Sequence, residues 1–405
     1  PAVILADMGD PGGYGLDTSH LNATETYRDF QLGHITENLT LVDASLDLSD
    51  ALMFMQKDEA VRGLAVEELD KVIGVLSRET ILEKAGSRIE LFKGKDIKFY
   101  LVDDSIRYDA RDFCEKAFYE VIRIEDRTVA NLIIYEGTHF FGVVSVNHLI
   151  RHVSRIRELA YEQAQYIQQF FLQKSDQKIA GLEFAHVIKM ARQIGGDFFH
   201  IRKISAAQSL FACFDVANKD IAASLTTGLL SSFFSMYFDL KNQDFDAQDM
   251  TSSLNRILVE QTPADIFVVG IILFFDLERK LVKIFNSGFS PLYLSAPKEN
   301  NLSKLVRMNS TLMPLGISED LDVPAGAREV PITPHTKFFI HSDGLLDALD
   351  LHGNRFGENR IKEFVVSNMK LRPGTFVKNL QDEFDAFTRD AVQADDFTAI
   401  MIEVE

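Results

Sequence analysis

Residues 337–350 read KFFIHSDGLLDALD, and residues 395–404 read DDFTAIMIEV. Each is a short apolar run with an acidic residue at one end: Asp343 closes the first, and Asp395 and Asp396 open the second. Their lengths and their Phe, Ile and Val content predict buried strands. Two further runs in the same half behave alike. SLFACFD (209–215) ends in Asp215, and QIGGDFF (193–199) carries Asp197 just after a glycine pair. Taken singly, each aspartate has an ordinary explanation, since Asp-Gly is a turn signal and Asp beside a strand often caps a helix. Taken together, four carboxylates at strand ends can meet at one sheet edge. Unpaired, they repel one another and raise each other's pKa. Mg²⁺ or Mn²⁺ relieves that repulsion because hard cations prefer oxygen ligands. Two such ions can activate water and polarise a phosphate.

The elements around these runs set the fold class. FFDLERKLVKIF (274–285) is a hairpin signal and implies antiparallel pairing. Helical patterns cover Ile221–Phe238, Ala247–Gln261, Gly357–Met369 and Thr375–Asp390. Hairpins mixed with long helices predict an α+β sandwich over 179–405, two antiparallel sheets flanked by helices. The most apolar run, IFVVGIILFF (266–275), is half the length of a membrane helix and reads as a buried strand.

The N-terminal half repeats itself. VIGVLSRETIL (72–82) aligns without gaps on FFGVVSVNHLI (140–150), about 68 residues further on. Around each lies the same order of strand, helix (Leu48–Gln56 in the first unit), strand, turn and strand. Residues 37–150 are therefore expected to be two packed α/β units, and residues 1–36 an extended lead-in. Between the halves, LIRHVSRIRELAYEQAQYIQQFFLQ (149–173) places Leu149, Val153, Ile156, Ala160, Gln163, Ile167 and Phe170 at alternating four and three spacing. That spacing suits a dimeric coiled coil over 151–178, or a single amphipathic helix lying on its own domain.

Composition bounds what such a chain can do. Its formal net charge of −18 disfavours nucleic acid and anionic lipid, so a phosphate site needs a local cation. Two cysteines, Cys114 and Cys213, exclude a disulfide framework and fit a cytoplasmic protein without a membrane span.

Several segments, in order, resemble the protein phosphatase 2C superfamily in its stage II sporulation protein E branch. They are QKIAGLEFAHVIKMARQIGGDFF (177–199), FDVANKDIAASLTTGLLSSFF (214–234), FNSGFSPLYL (285–294), MPLGI (313–317), HSDGLLDALDLHGNRFGENRI (341–361) and ADDFTAIMI (394–402). The resemblance implies a metal-dependent serine/threonine phosphatase holding two Mn²⁺ or Mg²⁺ ions. Asp215 would bridge them with the carbonyl of Val216. Asp343 and Asp395 would hold the second ion, Gly344 and Asp396 are counted with them as metal-site residues, and Asp197 would bind directly or through water. Arg192 is the candidate phosphate contact. The implied reaction is in-line hydrolysis without a phosphoenzyme. The implied substrate is a phosphorylated anti-sigma-factor antagonist or a similar small domain. The sequence departs from the pattern at Asn218 and Asp220, where glycines are usual, at Phe289 for a usual histidine, and at His200 for a second aspartate. A non-catalytic nucleotide-sensing scaffold is the alternative those departures leave open. The repeated units resemble a tandem cystathionine-β-synthase (CBS) domain pair, which implies an adenosine nucleotide near Ser77 and Ser145 and a homodimer. The usual ribose-binding aspartates are here Thr80 and His148.

Overall fold

A computed structural model describes residues 30–57, 61–78, 94–101, 106–124, 129–172, 178–217, 221–241, 245–297 and 303–405. The described residues divide into two compact units, one up to Ala160 and one from Tyr161 to Glu405.

In the first unit the repeat is explicit. Strand β1 (Thr40–Asp43) precedes helix α1 (Leu48–Lys57), β2 (Gly63–Glu68) and β3 (Lys71–Ser77). Strand β4 (Ile106–Asp109) precedes α2 (Cys114–Ile122), β5 (Asn131–Glu136) and β6 (His139–Ser145). In both, the first strand pairs parallel with the second and the second antiparallel with the third. Even the register shift recurs, at Val66/Glu67 and at Ile134/Tyr135. The turn between β2 and β3 holds Leu69 and Asp70 at positive φ. Apolar faces of α1 and α2 bury Leu48, Leu52 and Met55 in one core and Cys114 and Ala117 in the other. Ala65, Val72 and Ile133 pack between the repeats.

The expected lead-in ends earlier than residue 36. Leu32–His34 form a turn of 3-10 helix, and Leu32 and Ile35 enter the core of the second repeat. Two buried apolar side chains that close a core do not stay extended in water. Thr80 lies outside the described residues, as do Asn218 and Asp220.

Helix α3 runs from Val146 to Leu172. Ser145 caps it: its hydroxyl accepts a hydrogen bond from His148 N at 3.1 Å. The early seam residues Leu149 and Val153 are fully buried in the second repeat's core. Later seam positions Ile167 and Phe170 are exposed, as are Leu159 and Tyr166. Gln168, Phe171 and Leu172 instead face the core of the second unit.

The second unit is the expected sandwich. One sheet orders β14-β11-β10-β9-β8 and the other β13-β12-β15-β16-β7, every pair antiparallel. Strands β7 (Leu182–Lys189), β8 (Asp197–Lys203), β9 (Gln208–Val216), β10 (Val268–Asp276) and β11 (Leu281–Ser287) come first, then β12 (Leu292–Pro297) and β13 (Ser303–Met308). Strands β14 (Arg328–Pro331), β15 (Lys337–His341) and β16 (Phe397–Val404) complete the pair of sheets. Helices α4 (Ile221–Lys241) and α5 (Ala247–Gln261) belong to the side of the first sheet; α6 (Gly357–Asn368) and α7 (Pro373–Phe387) pack on the second. Strands covered on both faces read as continuous apolar runs rather than alternating ones, which is why SLFACFD and IFVVGIILFF are so apolar. Phenylalanines fill the layers edge to face: Phe184 on Phe211 at 5.1 Å, Phe275 on Phe338 at 5.2 Å, Phe339 on Phe376 at 5.0 Å. Helix α5 is started by Asp246, whose carboxylate accepts from Gln248 N and Asp249 N.

By length and composition alone, the segment Ile221–Leu240 of α4 could cross a membrane, but half of it is buried against the sandwich. On the packed side Phe234 meets Phe198, Phe214 and His200, while Ile221, Leu225, Met236 and Leu240 are exposed.

Candidate metal centre

The register of the sheets brings the acidic strand ends together. Asp197 and Asp215 are direct partners across β8 and β9. Asp343 follows β15 and Asp395–Asp396 precede β16, and these two strands pair from Lys337/Glu403 to His341/Ala399. All these positions therefore lie at one edge of the sandwich. The edges of the two sheets are joined by one side chain. Asp396 Oδ1 accepts from Ala191 N at 2.7 Å, and Oδ2 accepts from Gly196 N at 2.7 Å and more weakly from Asp197 N at 3.5 Å. Ser342 ties the second sheet's end internally, donating to Asp396 O at 3.1 Å and accepting from Thr398 N at 2.9 Å.

Glycines let these backbones close. A Cβ on Gly195 would overlap the Asp396 carboxylate, and one on Gly344 would overlap the Asp396 carbonyl oxygen. A Cβ on Gly196 would lie 2.9 Å from Val216 O and 3.5 Å from Asp215 Oδ1. Gly344 has no positive φ, so close approach and not a turn is what demands glycine there.

Electrostatics favour a cation. Asp197 is 1% exposed. Burial, then the charges of Asp215 and Asp396, hold its carboxyl well above the usual carboxylate range; the hydroxyls of Thr398 and Ser342 offset part of this. Its Oδ2 is buried with no hydrogen-bond partner. A buried carboxylate oxygen without a donor, opposite a second carboxylate, is costly unless a proton or a metal ion meets it. The oxygen-only donor set of Asp197, Asp215 and the Val216 carbonyl suits Mg²⁺ or Mn²⁺. Among the described residues, no three His, Cys, Asp or Glu side chains are grouped closely enough to hold an ion by themselves. Backbone carbonyl and water ligands are the usual complement for hard cations in such a site.

The remaining candidates fall in distinct places. Asp215 and Asp395 are half-buried, Asp343 is exposed, and Asp395 Oδ1 accepts from Asp396 N at 3.0 Å. Asp396 was expected among the metal-site residues. Its carboxylate is instead committed to three amides, so in this structure it anchors the glycine loop. Arg192 is exposed on that same loop, next to Ala191. Phe289 is buried in the main core, with its N–H donated to Asn286 Oδ1, and carries no side-chain chemistry. His200 stacks within a phenylalanine cluster on β8, away from the strand ends. In the first unit, Ser145 is occupied as a helix cap, and His148 lies 3.8 Å from Glu37.

Two acidic strand ends in each sheet, drawn to one edge and bridged by Asp396, accompany a family match over the same half: residues 205–405 match the family model for stage II sporulation protein E, and residues 31–87 match that for the CBS domain. The C-terminal half is a stage II sporulation protein E-type phosphatase domain. A CBS domain precedes it, and the strand and helix order of residues 31–87 is repeated by β4 to β6. The fold is similar to that of the SiaA-PP2C domain of Pseudomonas aeruginosa, with 18% identity and a TM-score of 0.54, over 62% of this chain and 99% of that one. A second similar structure is the phosphatase domain and regulatory fragment of SpoIIE from Bacillus subtilis, with 16% identity and a TM-score of 0.44, over 56% and 60%. No curated protein matches the chain.

Proposed function

We propose that this phosphatase domain hydrolyses phosphoserine or phosphothreonine on a protein, using two Mn²⁺ or Mg²⁺ ions at the Asp197–Asp215 edge. The observation that carries the reading is the buried Asp197 carboxylate, opposed by Asp215 and left with one oxygen unpartnered. Asp197, Asp215 and the Val216 carbonyl would hold one ion; Asp343 and Asp395, with Gly344 giving their backbones room, would hold the other together with waters, and Asp215 would stand between the two. Bound there, the ions polarise the phosphoryl oxygens and acidify water for in-line attack. Asp396 keeps the Gly195–Asp197 loop in register with β16. Arg192 on that loop orients the phosphate, a task a guanidinium performs with two parallel hydrogen bonds.

The substrate we infer is a small phosphorylated domain of the anti-sigma-factor-antagonist kind. The CBS pair, with an adenosine nucleotide near Ser77 and Ser145, controls access or activity through α3, and exposed Leu159, Tyr166, Ile167 and Phe170 support pairing of two chains along that helix. Two buried free thiols suit the cytoplasm.

The test is hydrolysis of p-nitrophenyl phosphate by the full chain with Mn²⁺, comparing wild type with Asp343→Ala. The variant is expected to lose at least about a hundredfold in rate, as removal of a metal ligand exceeds the effect of losing an outer partner. A wild-type rate in Asp343→Ala sinks the assignment. Calorimetric titration addresses the scaffold alternative: absence of Mn²⁺ binding supports the alternative.

A further inference from the structure

The second unit exposes its large apolar side chains unevenly. Among the described residues, helices α5, α6 and α7 expose only Val366, whereas the edge that carries the aspartates exposes Met313, Ile317, Leu349, Leu351 and Val392. Their place follows from the backbone pairing. Leu315 exchanges both hydrogen bonds with Val268, at 2.8 and 2.9 Å, and Val268 pairs with Val216, next to Asp215. The loop bearing Met313 and Ile317 is thus laid beside the end of β9. On the other sheet, Asp347 N donates to Asp343 O at 2.8 Å, which sets it one helical turn from that aspartate. Residues 348–356 then fold back as a small hairpin. Phe356 N donates to Ala348 O at 2.8 Å, and Arg355 Nη1 donates to Asp347 Oδ1 at 2.8 Å. Leu349 and Leu351 stand on that hairpin.

Both loops are held rigid by polar side chains placed around the apolar ones. Asp350 Oδ1 accepts from His352 N and Asn354 N, both at 2.8 Å, and Oδ2 accepts from Asn354 Nδ2 at 2.9 Å, so the chain is fixed on either side of Leu351. Buried Asn255 does the same for Ile317: its Oδ1 accepts from Gly316 N at 3.0 Å and its Nδ2 donates to Ser318 O at 2.8 Å. A surface loop commonly orders itself by packing its own side chains inward. Here hydrogen bonds do the ordering and the apolar side chains remain in water. Groups fixed beforehand lose little freedom when a partner covers them. We propose that these two loops are the docking rim for the protein substrate, which meets them with apolar side chains close to its phosphoserine or phosphothreonine. The proposal rests on the phosphatase reading above. A phosphoryl group carried by a protein reaches the ions only if its surroundings come against this edge. Charge is a poor means of holding that partner, because the chain has a net charge of −18 and a phosphorylated surface is itself anionic. Apolar burial is indifferent to the sign of either partner.

The full chain is tested with Mn²⁺ on two phosphoserine peptides, one flanked on both sides by leucines and one by serines, and on p-nitrophenyl phosphate, which is too small to touch the rim. Wild type should favour the leucine-flanked peptide by at least about fivefold in kcat/KM. Two variants are compared: the double variant Met313→Ser with Leu351→Ser, and Asp350→Ala, which frees the hairpin. In each the preference should shrink to within about twofold of unity, while turnover of p-nitrophenyl phosphate stays within about twofold of wild type. Absence of a preference in wild type overturns the proposal, and so does a preference that survives in either variant. An equal fall on peptide and on p-nitrophenyl phosphate also overturns it, since the loops would then serve the metal centre and not docking. If wild type hydrolyses none of the three compounds, the phosphatase reading fails. The rim is then judged by fluorescence anisotropy of the two labelled peptides: equal affinities overturn it, and tighter binding of the leucine-flanked peptide that is lost in the double variant supports it.

Discussion

Replacing Gly344 with alanine adds one methyl group at the place where the two halves of the second sheet's acidic edge meet. A Cβ there overlaps the carbonyl oxygen of Asp396 and lies 2.7 Å from its carbonyl carbon, both backbone atoms that no rotamer change can clear. Real Cβ atoms keep about 3.0 Å from such neighbours, so the Asp343–Gly344 and Asp395–Asp396 peptides must part by about 1 Å. Overpacking of this kind costs about 1–3 kcal/mol. For a domain of this size that is a fall of roughly 2–12 °C in Tm. The functional effect is larger. Asp343 and Asp395 flank the contact, and a displacement of about 1 Å at a reacting centre can cost about a hundredfold in rate. The assay is Mn²⁺-dependent hydrolysis of p-nitrophenyl phosphate at saturating metal, alongside thermal melting with and without Mn²⁺. Gly344→Ala should lose activity and also most of the Mn²⁺-induced rise in Tm. Activity within about threefold of wild type and an unchanged melting curve would refute the argument that close approach, rather than turn geometry, requires this glycine.

Three further outcomes are expected. Asp396→Asn removes a charge-assisted acceptor from the Ala191 and Gly196 amides, about 2 kcal/mol of interaction, and also relieves repulsion with Asp197 and Asp395; metal-free Tm should change little while calorimetric Mn²⁺ affinity falls. Burial depresses the His186 imidazole to about 4, with its ring against Phe199 at 4.4 Å. A depressed folded pKa stabilises the fold above the ordinary value near 6.5, and that contribution is lost as pH falls toward 4. Urea unfolding should therefore show His186→Phe losing about 2 kcal/mol less than wild type between pH 7 and pH 5. Ser145→Ala should cost the first unit about 1 kcal/mol through loss of the α3 cap, seen in urea titration, and a thermal-shift comparison with adenosine nucleotides tells whether the hydroxyl has a second task.

Much of the architecture is legible in local pattern. The gapless alignment of VIGVLSRETIL on FFGVVSVNHLI foretold two units alike in element order, and the structure adds that even the register shift recurs, at Val66/Glu67 and Ile134/Tyr135. Hairpin spacing at 274–285 foretold the β10–β11 pairing, and the helix over Ala247–Gln261 has the bounds its pattern implied. Periodicity and turn chemistry act over a few residues, so a single sequence displays them. The heptad-like seam of α3 illustrates the limit. Its apolar spacing is real, yet Leu149 and Val153 serve the second repeat's own core while Ile167 and Phe170 face solvent. Spacing records that a side chain is apolar, not what will cover it.

Sequence by itself determined the strand-end aspartates, their order, and the chemistry that hard oxygen ligands permit. Only the tertiary structure decided what each touches. Asp395 and Asp396 are adjacent in sequence, but Asp396 reaches three amides at residues 191, 196 and 197, roughly two hundred positions away, and becomes an anchor. Gln168 looks like any polar residue on a helix rich in glutamine, until the fold buries it against Gly195. Gly344 looks like half of a common turn, until β16 passes beside it. The reason is the same in each case. Hydrogen-bond partners and steric neighbours across a sandwich are set by which strand ends the sheets bring to one edge, and no local period in the chain carries that information.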